Sequence, residues 1–138
     1  MIRLTKRYRF AASHRLHAPS LSDEENRELY GKCNYPHGHG HDFILEVRVK
    51  GDVDAATGFV VDQRKLDTLV HSAVLNDFHM KYLNTQVPAF AHIVPTSENV
   101  AVEARRRLCG AWQGTFGNRG PALDAVRVLE TRKNVFES

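Results

Sequence analysis

The run Cys33-Asn34-Tyr35-Pro36-His37-Gly38-His39-Gly40-His41 places a thiol a few residues ahead of three histidines, each separated from the next by one glycine. Side chains alternate along an extended strand, so histidines two apart share a face. Two imidazoles on one face suit a tetrahedral metal site, and imidazole-rich ligation favours zinc among the common metals. The glycines let the backbone bend around an ion. The Cys33 thiol has three readings here: a fourth ligand, a nucleophile or base beside the metal, or a packed thiol.

Two strands would position these groups. From Leu4 to His14 the even residues read Leu4, Lys6, Tyr8, Phe10, Ala12 and His14, a mostly apolar face opposite Arg3, Arg7 and Arg9. From His39 to Val49 the odd residues read His39, His41, Phe43, Leu45, Val47 and Val49, opposite Asp42, Glu46 and Arg48. His14, His39 and His41 thus share core-facing parity at strand ends. His37 with His39 is the competing pair. His39 and His41 are preferred because they run directly into the strand.

The rest of the chain supplies helices and a third strand. Ser20 to Gly31 reads as a loop with a short helix around Asp23 to Leu29, and Gly51 to Gly58 as a turn. Asp62 reads as the N-cap of a helix with Leu66, Leu69, Val70, Ala73 and Val74 on its apolar side. Asn84 to Pro95 reads as loop. Thr96 or Ser97 caps a second helix carrying Val100, Ala104 and Leu108. Gly114 to Pro121 reads as loop, Leu123 to Thr131 as a strand, and Asn134 to Phe136 as a short last strand or tail. Strands followed by helices predict an α+β fold, with two helices on one face of an antiparallel, four-stranded sheet. Such a small sheet has exposed edges that invite assembly by strand pairing.

Each candidate has a plainer reading. A lone histidine is more often a satisfied core or surface group than a ligand. Three on shared parity weigh against that, because burying neutral imidazoles without a common partner is costly. Glu130 lies on the strand face of Val126 and Val128, where a carboxylate needs a partner. That partner is either an arginine or a ligand edge presenting two parallel N–H donors. Thr96-Ser97-Glu98-Asn99 is a helix start whose N–H groups could also hold a ligand. Cys109 reads as a structural thiol at a helix end, and Arg105-Arg106-Arg107 as a solvated helix face.

Bulk composition narrows the class. The 138 residues suit one domain, residues 1–138, with 42% hydrophobic and 25% charged residues, as in ordinary globular chains. Net charge is +3, from 19 Lys+Arg against 16 Asp+Glu. That balance fits an anionic small substrate and is too slight to imply nucleic acid. Eight histidines strengthen the metal reading, and two cysteines do not make a disulfide scaffold. The N-terminus lacks the apolar run of a signal peptide, and no window reaches about 18 uninterrupted apolar residues. A reduced, cytoplasmic protein without a membrane span is expected.

Several segments together resemble the 6-pyruvoyl-tetrahydropterin synthase and 6-carboxy-tetrahydropterin synthase family. They are Phe10 to Leu16, Gly31-Lys32-Cys33 through His41, the Gly58 to Asp62 turn, Thr96 to Ala101 and Leu129-Glu130-Thr131, in the family's order. Leu21 to Asn26 makes the chain most similar to the animal-type 6-pyruvoyl enzymes. Five residues separate Cys33 from His39, whereas the 6-carboxy enzymes of queuosine biosynthesis usually have a shorter gap. The resemblance implies the tunnelling fold, a barrel assembled from trimers and then hexamers, with sites between subunits. It implies Zn2+ held by His14, His39 and His41, and Cys33 as the base that takes a proton from the substrate side chain. Glu130 would anchor the pterin ring, helped by Thr96, Ser97 and Glu98. The implied reaction is loss of triphosphate from 7,8-dihydroneopterin triphosphate to give 6-pyruvoyl-tetrahydropterin, with no redox cofactor. The alternatives are the 6-carboxy synthase and a pterin-binding homologue with impaired catalysis.

One segment departs from the family. Where it usually has Asp-His, this chain reads His79-Met80. A thioether cannot transfer a proton, so either His79, oriented by Asp77, reaches Cys33 from a shifted backbone as its acid–base partner, or the relay is altered.

Overall fold

Two long strands form the frame of the molecule, a computed structural model that describes residues 1–138. Strand β1 (Ile2–His14) pairs antiparallel with β2 (His39–Gly51), from Ile2 opposite Gly51 to His14 opposite His39. The expected alternation holds: Tyr8, Phe10, Ala12 and His14 of β1 are buried, as are Phe43, Leu45, Val47 and Val49 of β2. β4 (Ala122–Leu129) continues the sheet beside β2, with a bulge at Arg48/Val49, and β5 (Phe136–Glu137) closes it antiparallel to β4.

The sheet differs from the expected one in strand number and direction. It has five strands in the order β3-β1-β2-β4-β5, and β3 (Lys81–Tyr82) runs parallel to β1 at Ala12 and Ser13. A two-residue strand carries no alternation to read. It exists because Met80, with φ 59, turns the chain and donates its N–H to the Ala11 carbonyl at 2.6 Å.

Helices cover one face, as expected. Asp62 caps α2 (Gln63–Val70) by accepting from Arg64 N and Lys65 N. The helix then passes through a π turn, His71–Leu75, into the short α3 (Asn76–Phe78). The segment read as loop after Asn84 instead holds the helical turn α4 (Leu83–Gln86) and a 3-10 turn at Pro88–Phe90, which bury Leu83, Val87 and Phe90. These elements are too short for a helical period to show. Upstream, α1 (Asp23–Tyr30) begins with Ser22 and Glu25 in a reciprocal capping box.

The longest helix, α5 (Ser97–Phe116), runs past the expected start of a loop at Gly114 and ends where Gly117 takes φ 70. Cys109 is therefore exposed in mid-helix, not packed at a helix end. The arginine run is only partly solvated. Arg107 has 17% side-chain exposure, binds Glu103 and Asp77, and lies over the Phe78 ring at 5.1 Å. The helices and the even face of β1 enclose a 23-residue apolar cluster containing Leu66, Val70, Val100, Ala104 and Leu108.

The other sheet face is ionic. Glu46, 2% exposed, lies between Arg7 and Arg127 at 3.1 and 3.0 Å, while Asp124 binds Arg48 and Lys50. Leu108 is fully buried at the centre of the apolar layer. Leu108→Ala should lower unfolding free energy by about 2–5 kcal/mol in denaturant titration. A loss under about 1 kcal/mol would mean that this layer is not close-packed.

Candidate metal centre and active site

His14 is fully buried at the end of β1, and its Nδ1 lies 2.7 Å from the Pro95 carbonyl. A carbonyl only accepts, so Nδ1 carries the proton and Nε2 presents a lone pair. The register sets His39 directly across from His14, and alternation sets His41 on the same face. The ring centroids lie 4.7 Å apart for His14 and His39, 4.6 Å for His39 and His41, and 5.4 Å for His14 and His41.

Glu130 joins them just past the end of β4. Its Oε1 is 2.9 Å from His14 Nε2 and 3.0 Å from His41 Nε2. These contacts are short but not aligned as hydrogen bonds. His14 Nε2, His39 Nδ1, His41 Nε2 and Glu130 Oε1 are all buried without a hydrogen-bond partner. One ligand atom from each residue lies within 4.8 Å of the others. Four buried polar atoms that meet one another without bonding are costly to leave unpaired, and a shared cation would pair them. The group His14, His39, His41 and Glu130 has the donor types and spacing to hold a metal ion.

Electrostatics agree with that fit. Burial, then the neighbouring imidazoles, draws His39 below its ordinary 6.5, against the pull of Glu130. Burial also lowers His41, although Glu130 opposes it. Contact with His14 holds Glu130 below the usual carboxylate range despite its burial. His39 and His41 are thus neutral and ready to ligate at neutral pH.

Cys33 stands beside this group but is not among its four ligand atoms. It sits in a 3-10 turn, Gly31–Asn34, and its carbonyl accepts the Leu16 N–H at 2.8 Å. Asn34 donates to the Leu16 carbonyl at 2.8 Å, and Arg15 Nε donates to the Asn34 carbonyl at 3.1 Å. The thiol turn is therefore laced to the segment that follows His14. Burial pushes the thiol up, and the Glu130 charge pushes it further.

The structure separates the other expected residues. His37 is exposed against Tyr35 and lies outside the group. Glu130 meets histidines, not the arginine of the plainer reading. Thr96 caps α5 by accepting from Asn99 N at 3.2 Å. Ser97 is 4% exposed, its hydroxyl buried without a partner, and Glu98 is exposed. His79 is not brought to Cys33 of its own chain. Its Nδ1 accepts the Ala11 N–H at 3.1 Å, and it lines a hollow of about 510 Å³ with Arg9, His71, Leu75 and Asn76. Ala11 lies three residues before His14, roughly 10 Å along an extended strand. Met80, 74% exposed, instead borders a hollow of about 520 Å³ shared with His41.

Some contributors carry no readable signal in the sequence. Pro95 orients His14, and Asn84 holds the Arg15 backbone through its N–H and carbonyl, each at 2.8 Å. Gly38 has φ 73, and a Cβ there would meet the His14 carbonyl at 3.0 Å. Its need for glycine follows from the close strand end, which only the fold reveals.

Comparison with known proteins shows the family of the chain. The model of the family described as 6-pyruvoyl tetrahydropterin synthase matches residues 3–138. The chain belongs to this family. A Drosophila melanogaster 6-pyruvoyl tetrahydrobiopterin synthase is 43% identical over 137 residues, covering 96% of this chain and 76% of the relative. The Homo sapiens enzyme of that name is 46% identical over 99 residues, covering 72% of this chain and 68% of its own. The solved Caenorhabditis elegans 6-pyruvoyl tetrahydropterin synthase matches with a TM-score of 0.88 at 37% identity, over 99% of this chain and 94% of that one. Members bearing this name are lyases, and this synthase-family chain is an enzyme of that type. No helix is long and apolar enough to cross a membrane.

Two measurements test the centre. His39→Ala or His41→Ala should strip bound metal, whereas His37→Ala should keep it; metal analysis showing loss only with His37→Ala would reverse the assignment. The lowered imidazoles of His39 and His41 keep the neutral, ligating form at and somewhat below their ordinary value, and lose it only as more acid protonates them. Metal content should therefore be full near pH of about 7.5 and fall as acid titrates the imidazoles below 6.5. Full retention at a pH of about 4 would exclude histidine ligation.

Proposed function

We propose that this chain is a zinc-dependent lyase that converts 7,8-dihydroneopterin triphosphate to 6-pyruvoyl-tetrahydropterin with loss of triphosphate. The observation that carries this reading is the convergence of three partnerless imidazole nitrogens beside a half-buried thiol, in a chain of this family. His14, His39 and His41 would hold the ion. A bound dication acts as a Lewis acid that polarises substrate oxygens and acidifies the neighbouring C–H.

Cys33 would take the proton from the side-chain carbon next to the phosphate-bearing carbon. The C–O bond to triphosphate would then break, the phosphate leaving with the electron pair, and the resulting enol would rearrange to the ketone. The remaining side-chain carbinol would lose its C–H and O–H protons and pass its electron pair to the ring C=N bond, which takes up two protons, so that internal redox isomerisation gives the diketone on a tetrahydropterin with no external reductant. Glu130, a carboxylate at neutral pH, would accept the paired N–H donors of the pterin edge. Ser97 supports a ligand contact at the start of α5 through its unpartnered hydroxyl, flanked by Thr96 and Glu98. Assembly into a trimer or hexamer would place sites between subunits, and His79 of another copy is then the candidate acid–base partner for Cys33. The β3 side of β1 from Ile2 to Phe10 pairs with no strand, which supports edge-to-edge assembly.

A second reading follows from Met80, which takes a left-handed backbone and offers no proton-transfer group. It is a pterin-binding homologue with impaired turnover. Product mass decides between these readings and a 6-carboxy synthase. Zinc-loaded protein should yield the pyruvoyl product, and Cys33→Ala should slow it by at least about 100-fold with zinc retained. A carboxylate product would assign the queuosine-type reaction. Absence of turnover in wild type, or full turnover in Cys33→Ala, would defeat the proposed mechanism.

A further inference from the structure

Another cleft, about 370 Å³, is lined by Gly31, Lys32 and Asn34 of the Cys33 turn together with Arg15, Asp23 and Arg27. Its charged lining is Arg15, Arg27 and Lys32 against a single carboxylate, Asp23. Elsewhere the basic side chains of the sheet and of α5 are largely neutralised: Lys6 pairs with Asp67, Arg7 with Glu46, Arg48 with Asp124 and Arg106 with Glu103. Arg15, Arg27 and Lys32 take part in no ion pair. Asp23 and Arg27 stand one turn apart on α1, the spacing at which such a pair could form, and they do not close to salt-bridge distance.

Arg15 is also pre-positioned. Its Nε is spent on the Asn34 carbonyl, and both its backbone groups are held by Asn84. Its two terminal nitrogens make no hydrogen bond within the chain and are left as a fork for an oxyanion. This residue directly follows His14, and Lys32 directly precedes Cys33. No metal-group residue and no thiol lines the cleft itself, but the Leu16 N–H to Cys33 carbonyl bond and the Arg15 to Asn34 bond tie the two segments that carry His14 and Cys33 together at its wall.

We infer that this cleft binds the phosphate chain of the substrate and stabilises it as it departs. The inference rests on the lyase reading above, because that reading requires a polyanion a few bonds from the carbon that loses its proton. Arg15, Arg27 and Lys32 neutralise charge that builds on the bridging oxygen as the C–O bond breaks. Asp23 opposes them and keeps the affinity of the cleft for the released product in check.

Binding by zinc-loaded protein separates this inference from the reading beneath it. Calorimetry would use 7,8-dihydroneopterin triphosphate, unphosphorylated 7,8-dihydroneopterin and inorganic tripolyphosphate, with zinc content measured before and after because tripolyphosphate chelates metals. Arg27 and Lys32 are exposed, so the double variant Arg27→Gln/Lys32→Gln should fold. It should weaken both phosphorylated ligands by at least about tenfold and leave unphosphorylated 7,8-dihydroneopterin unchanged. Asp23→Asn should tighten the phosphorylated ligands, and Arg64→Gln, in a different hollow, should change nothing. Equal affinity of wild type and double variant for the phosphorylated ligands would overturn the cleft. Equal weakening of all pterins would do the same. Tripolyphosphate binding that depends on Arg27 and Lys32, without any pterin binding, would uphold the cleft and defeat the lyase reading.

Discussion

The end-to-end pairing of β1 with β2 is the constraint on which the site depends. It sets His14 across from His39 and leaves His41 one pleat away on the same face. Slipping this pair by one residue would turn one strand's face over. Both faces resist that slip. Phe10 stacks on Phe43 at 5.0 Å under the helices, while Glu46 is held between two arginines on the far side. A slipped strand would push those charges into the apolar layer, where unpaired ions are costly.

The centre built on this register is unfavourable in isolation. Burial and mutual crowding keep His39 and His41 neutral, and Glu130 stays charged among them. The same surroundings oppose ionisation of Cys33. A cation brought to the imidazoles relieves both effects, since it pairs the orphaned atoms and offsets the Glu130 charge. The unneutralised arginines and lysine beyond Cys33 extend the same electrostatic pattern outward. Lys32 and Asn34 of the thiol turn line the basic cleft, and the lacing of Asn34 to Leu16 holds the turn to the strand end.

Much of this architecture is legible in the residue pattern alone. Alternation in β1 and β2 selects the three histidines, because a half-buried strand repeats every two residues and thirteen residues show that period clearly. Asp62 and Thr96 mark helix starts through their capping side chains. Short elements are not legible. β3, α4 and the Pro88–Phe90 turn are set by tertiary contacts and contain too few residues to show a period. Arg107 reads as solvated in a run of three arginines, yet its partners, Asp77 and Phe78, come from a helix thirty residues away. Cys109 reads as a helix-end residue because Gly110 and Gly114 suggest a break that packing overrides.

The sequence by itself determined residue chemistry and face: imidazoles on core parity, a thiol near them, and a carboxylate on an apolar strand. Those properties follow from local periodicity and composition. Only the tertiary structure decided distance and orientation. It brought Glu130 onto the histidines, aimed His14 Nε2 by giving Nδ1 the Pro95 carbonyl, and carried His79 to Ala11, away from Cys33. Such contacts join residues far apart in the chain, and nothing in the spacing of neighbours encodes where a distant segment comes to rest.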